Sequence, residues 1–349
     1  MQDVKRMQSM KAVVLTGPGG LDKLEVQDLP RPVPERGQVL VRLHASALNR
    51  RDFWITKGLY PDIKLPCILG SDGAGVVESA GKGVDGSIIG KEVVIYPVYD
   101  WGEDPVIQGE NFRILGMPDN GTFSEYICVP VENIFAKPPH LNMQQTAAIS
   151  LAGLTAWRSL VTKALLKSGE IVLITGIGGG VASLAFIWAR ALGAGVIVTS
   201  SSDQKLARAK DAGAMDGFNY TLPDWQQSLQ EKYGGVDVVL DGNCGAQFNP
   251  CFKSLNPAGR YIIFGFTQGA PAQGFDPSRL FFKQLRIEGT TMSTPGEFEA
   301  MLHFITEHRL EPVIDKTFSL LEAGEAVKYI ETGEQMGKVT LDHLNLIHD

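Results

Sequence analysis

The stretch Val172-Leu-Ile-Thr-Gly-Ile-Gly-Gly-Gly-Val-Ala182 decides how this chain is read. An apolar run ends at Thr175, glycines crowd positions 176 to 180, and an Ala/Leu-rich segment follows as far as Leu192. Glycine runs also make ordinary turns. This one directly follows a strand-like segment and opens a helix, the context in which such a turn holds a dinucleotide. Glycine permits the tight turn and lets the backbone approach a pyrophosphate, while the helix N-terminus offers free N–H groups and a favourable dipole. Gly176, Gly179, Gly180 and Val181 are therefore candidate cofactor contacts, and Ala182 stands where a third glycine often is.

The same alternation extends outward. Apolar strands at 171–175, 195–200, 236–241 and 260–266 are separated by helical patterns at 182–192, 204–212 and 246–255. Short apolar strands alternating with amphipathic helices indicate an α/β fold with a doubly wound parallel sheet. Ligands bind at the carboxyl ends of such strands. The end of the second strand reads Thr199-Ser-Ser-Ser-Asp-Gln-Lys205. An acid at the Ser200 position would bind a ribose 2′-hydroxyl; Ser200, Ser201 and Lys205 instead suit a 2′-phosphate, which favours NADP over NAD. Asp203 is an acid nearby, and Ser202 with Asp203 also fits the start of a helix. Later strand ends add Asn243 and Cys244, then Gly265, Phe266 and Thr267, as further cofactor candidates.

The flanking regions differ. Residues 11–15, 38–47, 72–79 and 92–96 carry strand signals bounded by Gly and Pro, whereas 98–120 has little periodicity and reads as a surface loop or lobe. Residues 1–9 read as a loose tail, 144–159 as one helix, and 295–308 and 321–331 as helices before a last strand at 338–341.

Composition narrows the classes. A net charge of -7 without Lys/Arg runs argues against nucleic-acid binding. The four cysteines, Cys67, Cys128, Cys244 and Cys251, form no CxxC pair, which argues against a disulfide framework and a structural zinc site. No apolar run reaches the roughly 18–20 residues that cross a bilayer. The opening segment lacks the features of a secretory signal, so a cytoplasmic protein is expected.

The chain resembles the medium-chain dehydrogenase/reductase superfamily, in its zinc-free quinone oxidoreductase-like branch. The match runs through Met10-Lys-Ala-Val-Val, Val41-Arg-Leu-His-Ala-Ser-Ala-Leu-Asn-Arg-Arg-Asp52, Leu69-Gly-Ser-Asp-Gly-Ala-Gly-Val-Val77 and Gly121-Thr-Phe-Ser-Glu-Tyr126. It continues in Ala152-Gly-Leu-Thr-Ala-Trp157, Gly234-Gly-Val-Asp-Val-Val-Leu-Asp241 and Gly337-Lys-Val. The resemblance implies a GroES-like β-barrel catalytic domain at 1–142 and 290–349, interrupted by a Rossmann NADP-binding domain at 143–289, with the active site between them. It also implies a homodimer through the Rossmann sheet edge, for which 285–292 is the candidate strand; the flanking Leu280, Phe281, Phe282 and Leu285 would then sit at or near the interface, or else fill the monomer core.

Zinc members of the superfamily take a catalytic metal from Cys, His and Cys. The matching positions hold Asn49, Ser71 and the neighbourhood of Leu151 and Ala152, none of which supplies a thiolate or imidazole. No metal is therefore expected. By resemblance Asn49, Ser71 and Thr155 are the candidate catalytic residues, with Asp52 orienting its neighbours and Tyr220 contacting the adenosine phosphate. Enoyl-thioester reductases of the branch place a proton-donating Tyr where this chain has Trp54, which has no hydroxyl; Tyr60 lies downstream. Without a Lewis acid, the chemistry expected is hydride reduction of a quinone or an α,β-unsaturated carbonyl compound by NADPH. The alternatives are an alcohol dehydrogenase-like activity, an enoyl-thioester reductase, or a non-catalytic NADPH-binding protein.

Overall fold

A computed structural model describes residues 9–344 except 272, 273 and 275. In chain order the strands are β1 (Ser9–Leu15), β2 (Leu24–Pro30), β3 (Gln38–Ala47), β4 (Cys67–Ile68), β5 (Asp72–Ala80), β6 (Glu92–Ile95), β7 (Val98–Tyr99), β8 (Arg113–Ile114), β9 (Tyr126–Pro130) and β10 (Ile134–Ala136). They continue as β11 (Ile171–Ile174), β12 (Gly195–Ser200), β13 (Asp216–Asn219), β14 (Val236–Asp241), β15 (Leu255–Ile263), β16 (Arg286–Gly289), β17 (Ile314–Ser319) and β18 (Lys338–Asp342). The helices are α1 (Arg50–Thr56), α2 (Met143–Ala148), α3 (Leu151–Trp157), α4 (Gly180–Ala191), α5 (Asp203–Asp211), α6 (Trp225–Tyr233), α7 (Phe248–Lys253), α8 (Pro277–Phe282), α9 (Pro295–Glu307) and α10 (Ala323–Thr332). The loose tail expected at 1–9 lies, apart from Ser9, outside the described residues.

Contacts divide the chain into two units, Met1–Leu151 with Ser293–Asp349, and Ala152–Met292. These boundaries differ from the 142/143 and 289/290 expected above. The reason is α2: its Ala147 and Ala148 pack with Ala45, Ala47 and Ala74 of β3 and β5, which assigns the helix to the first unit. The single helix expected over 144–159 is also broken. It stops at Ile149, restarts as α3, and ends in a π-helical turn, Arg158–Lys163. At the restart the Asp72 carboxylate captures the backbone N–H of Leu151 at 2.8 Å.

In the first unit the main sheet runs β10-β6-β5-β3-β18-β17, with β9 also paired to β3. Its core holds Val39, Val41, Leu43, Val77, Val93, Ile95, Ile127 and Val129, the inward residues of strands whose alternation was legible in the sequence. β5 approaches β3 so closely that a Cβ on Gly75 would lie 2.1 Å from the Arg42 carbonyl oxygen, which is why the strand carries glycine there. The 98–120 segment is more ordered than a surface loop: β7 and β8 form a ribbon, Trp101 is buried against Phe112, and Leu115 and Met117 enter the core.

The second unit is a six-stranded parallel sheet in the order β13-β12-β11-β14-β15-β16. Val172, Leu173, Ile174, Ile197, Val198, Val238, Val239 and Leu240 are wholly buried, as expected for parallel strands covered on both faces. The chain reverses its direction of travel between β11 and β14, so this sheet has its switch point at the carboxyl ends of those two strands.

Candidate active site

The glycine turn forms as the sequence predicts. β11 ends at Ile174, Gly176 takes φ 63°, and α4 starts at Gly180 with Gly179 before it. A Cβ on Gly176 would stand 2.7 Å from Asn243 Nδ2, so the turn and the end of β14 can meet only at glycine. Gly179 has no side chain to cap α4, which leaves first-turn N–H groups for an anion, and Val181 is half-buried on that turn.

Asn243 is held from several sides. Buried Asp241 accepts from the Thr175 hydroxyl at 2.7 Å, the Tyr261 hydroxyl at 2.6 Å and the Asn243 N–H at 2.8 Å. The Asn243 amide then donates to Thr175 Oγ1 at 3.3 Å and accepts from the Thr267 hydroxyl at 2.8 Å. Gly176, Asn243 and Thr267 thus come together at one end of the sheet. Cys244 sits beside them with φ 54°, its thiol 3.4 Å from the Gly265 carbonyl. Burial, then the Asp241 charge, pushes that thiol up to about 11, so it is a lining group and no thiolate at neutral pH. Phe266 is exposed.

At the end of β12, Ser200 is buried and accepts from the Ser202 N–H at 3.1 Å, and Ser201 is exposed. Ser202 caps α5, accepting from the Lys205 N–H at 3.4 Å, and Lys205 stands in the first turn. The Tyr220 N–H donates to the Ser200 carbonyl at 3.1 Å, which brings Tyr220 to the same strand end. Asp203 accepts from the Asn219 amide at 2.8 Å. Glycine turn, hydroxyls, a lysine and a tyrosine at adjacent strand ends fit a nicotinamide dinucleotide. Thr155 is buried within α3 in this unit, apart in sequence and unit from Asn49 and Ser71.

In the first unit, strand register assembles a buried polar centre. Ala47 pairs with Asp72 on one side and with Thr340 on the other, so the ends of β3, β5 and β18 meet. Asn49 follows β3 after Leu48 and is the N-cap of α1. Its Nδ2 donates to Asp72 Oδ2 at 2.9 Å, and its Oδ1 accepts from Lys338 Nζ at 2.8 Å. Lys338 also donates to the Leu48 carbonyl at 2.7 Å and to Asp72 Oδ2 at 3.0 Å. The Asp52 carboxylate accepts from the Asn49 N–H at 2.8 Å, while its other oxygen is buried without a partner among the described residues. Burial pushes the Asp52 carboxyl up to about 6, against the opposing pull of Arg51.

Ser71 does not present a free hydroxyl. It is wholly buried, donating to the Leu115 carbonyl at 2.7 Å and accepting from Arg51 Nη1 at 2.6 Å. Arg51 further donates to the carbonyls of Leu115 at 2.7 Å and Met117 at 3.2 Å, and to the Tyr60 hydroxyl at 3.4 Å. Trp54 is half-buried against Phe53 and belongs to the packing. Ser71 is thus corrected from a candidate catalytic residue to a buried structural one, because the Arg51 guanidinium and the Leu115 carbonyl take up its hydroxyl. Sequence reasoning missed Arg51, Asp72 and Lys338; each lay inside a family-like stretch, but nothing local marks a buried ion pair.

Residues 35–139 match the alcohol dehydrogenase GroES-like domain and residues 180–307 match the zinc-binding dehydrogenase family. A zinc-type alcohol dehydrogenase-like protein, YogA, of Leptosphaeria maculans is 34% identical over 91% of this chain and 94% of its own length. The chain belongs to the medium-chain dehydrogenase/reductase superfamily. It is an oxidoreductase of that superfamily, with the GroES-like and Rossmann domains expected, and the superfamily binds a nicotinamide cofactor. An acryloyl-coenzyme A reductase of Sulfurisphaera tokodaii is 29% identical over 95% of this chain and 99% of its own. The crystal structure of an NAD-dependent alcohol dehydrogenase superposes with a TM-score of 0.90 at 37% identity, covering 96% of this chain and all of that one.

Several of these medium-chain dehydrogenase/reductase names imply zinc. The donor set here does not fit it. Of the positions that match zinc ligands, Asn49 offers an amide already bound to Asp72 and Lys338, and Ser71 offers a hydroxyl under the Arg51 guanidinium. Zn²⁺ prefers thiolate and imidazole, and a fixed cation at one ligand position repels it. Among the described residues no helix is long and apolar enough to cross a membrane.

Proposed function

We propose that this chain is an NADPH-dependent, zinc-independent reductase of quinones or α,β-unsaturated carbonyl compounds. The observation that carries the reading is the Arg51–Ser71 contact at 2.6 Å, which puts an immobile cation where a metal-dependent relative needs a ligand. Without a Lewis acid to ionise an alcohol, the acceptors suited to hydride transfer are electron-poor carbons and quinones. Bound NADPH supplies the hydride. The chain holds it through the Gly176–Val181 turn, Asn243 and Thr267, with Ser200, Ser201, Lys205 and Tyr220 around the 2′-phosphate. The Asn49 amide donates a hydrogen bond to the oxygen on which enolate or quinol charge develops.

The acryloyl-coenzyme A reductase relative favours a second reading, reduction of an enoyl thioester. Against it stands Trp54, half-buried in packing and without a proton to give. We further propose a homodimer through β16, whose register with β15 leaves its other edge without a strand partner among the described residues.

Steady-state NADPH oxidation with quinones, enones, an enoyl thioester and simple aldehydes decides among these. Turnover of quinones or enones is the expected result. Turnover of aldehydes alone overturns the reading in favour of an alcohol dehydrogenase, and NADPH binding without turnover in favour of a non-catalytic protein.

A further inference from the structure

Lys338 and Asp72 form an ion pair hidden in the first unit, their side chains 2% and 0% exposed and 3.0 Å apart. Taking two charges out of water costs several kcal/mol per ion, on the order of what their attraction returns, so such a pair is a poor source of net stability. Its geometry fits another task. Lys338 has three N–H groups, and all three are used: on the Leu48 carbonyl, on Asn49 Oδ1 and on Asp72 Oδ2. Asp72 uses both of its oxygens, with Leu151 N–H on Oδ1 and the Asn49 amide and Lys338 on Oδ2.

We propose that Lys338 and Asp72 are positioning residues that lock the Asn49 amide in one of its two orientations and leave a single N–H of Nδ2 to meet a substrate oxygen. Side-chain amides can usually flip at little cost, since oxygen and nitrogen have nearly the same shape. Here a flip would turn Nδ2 against an ammonium and Oδ1 against a carboxylate, both repulsive in a buried site where charges are poorly screened. The ammonium, 2.8 Å from Oδ1, and the carboxylate, 2.9 Å from Nδ2, thus hold the two ends of the amide. Nδ2 has two N–H groups and the structure gives one of them a partner, Asp72. The spare donor therefore has a fixed direction before any ligand arrives, the preorganisation that makes hydrogen bonds effective on developing negative charge.

The consequence for turnover rests on the reductase reading; the lock itself does not. Lys338→Met alone strands a buried carboxylate and costs folding, so the test replaces the pair together, Lys338→Met with Asp72→Leu, which leaves no unpaired charge. Asn49→Ala is expected to lower kcat on the best quinone or enone by about 10²-fold, the range for losing one such donor. The pair variant is expected to lower kcat about 10-fold or more with the KM for NADPH little changed. Adding the pair changes to Asn49→Ala should cost almost nothing further, because both act through one amide. Losses that multiply would overturn the proposal.

A second readout needs no activity. The side-chain amide protons of Asn49, assigned by their disappearance in Asn49→Ala, should exchange slowly with solvent in the full-length wild type and fast in the pair variant. Signals equally protected in both proteins refute the lock. A wild type that reduces none of the acceptors refutes the reductase reading instead, while the amide signals still judge the lock.

Discussion

The guanidinium of Arg51 lies 2.6 Å from the hydroxyl of Ser71, and both side chains are buried. The two residues are 20 positions apart, on α1 and just before β5, and the contact makes cationic the surroundings of a position that by resemblance matches a metal ligand. From this relationship follows the first prediction. The purified protein should carry no stoichiometric zinc and should keep its activity in strong chelators. Elemental analysis finding close to one zinc per chain, with activity lost on its removal, would contradict it.

Cofactor choice rests on the end of β12. Ser200 ends β12 at the position where an acid would select a ribose 2′-hydroxyl, and Lys205 lies in the first turn of α5. Lys205→Ala should weaken NADPH binding by roughly 1–3 kcal/mol, the range for a charge-assisted hydrogen bond, with little change for NADH. Titration calorimetry with both cofactors checks this. An equal loss for the two would show that the lysine does not meet the 2′-phosphate.

The buried carboxyl of Asp52 predicts a pH dependence. Its value in the folded chain, about 6, lies above the ordinary 3.8 because burial disfavours the charged form. The contribution is therefore fully present below pH 3.8 and is lost as pH rises through about 6. Relative to wild type, Asp52→Asn should gain stability between pH 4 and pH 7, by up to about 3 kcal/mol at 1.36 kcal/mol per unit. Denaturant midpoints at the two ends of that range measure the difference, and a constant difference would be the contrary result.

Assembly turns on the residues beside β16. Leu285 is buried and Leu280 packs on the same core, so these two fill the second unit, whereas Phe281 and Phe282 are 62% and 78% exposed. Sedimentation at micromolar concentration should give the mass of two chains. Ile287→Pro, which removes a backbone donor from β16, and the exposed-face change Phe281→Ser with Phe282→Ser should each shift it toward one. A wild-type mass of one chain would dispose of the dimer.

The sequence by itself determined what local physics controls. The parallel strands were legible as apolar runs, because both faces of such strands are covered, and the turn at Gly176 was legible because only glycine takes its backbone angle beside Asn243. The capped start of α5 at Ser202 is equally local. Tertiary structure alone decided the rest. Asn49, Asp72 and Lys338 meet because β3 is registered against both β5 and β18, and no short-range pattern announces a partner 289 residues away. The break between α2 and α3 has the same origin: propensity favours one continuous helix, but the Asp72 carboxylate on the Leu151 N–H lets a second one begin. By resemblance Ser71 is a candidate catalytic residue, and only the folded chain brings the Arg51 guanidinium onto it. Buried charge must find its partner in space, and the distance along the chain at which it does so is set by strand pairing.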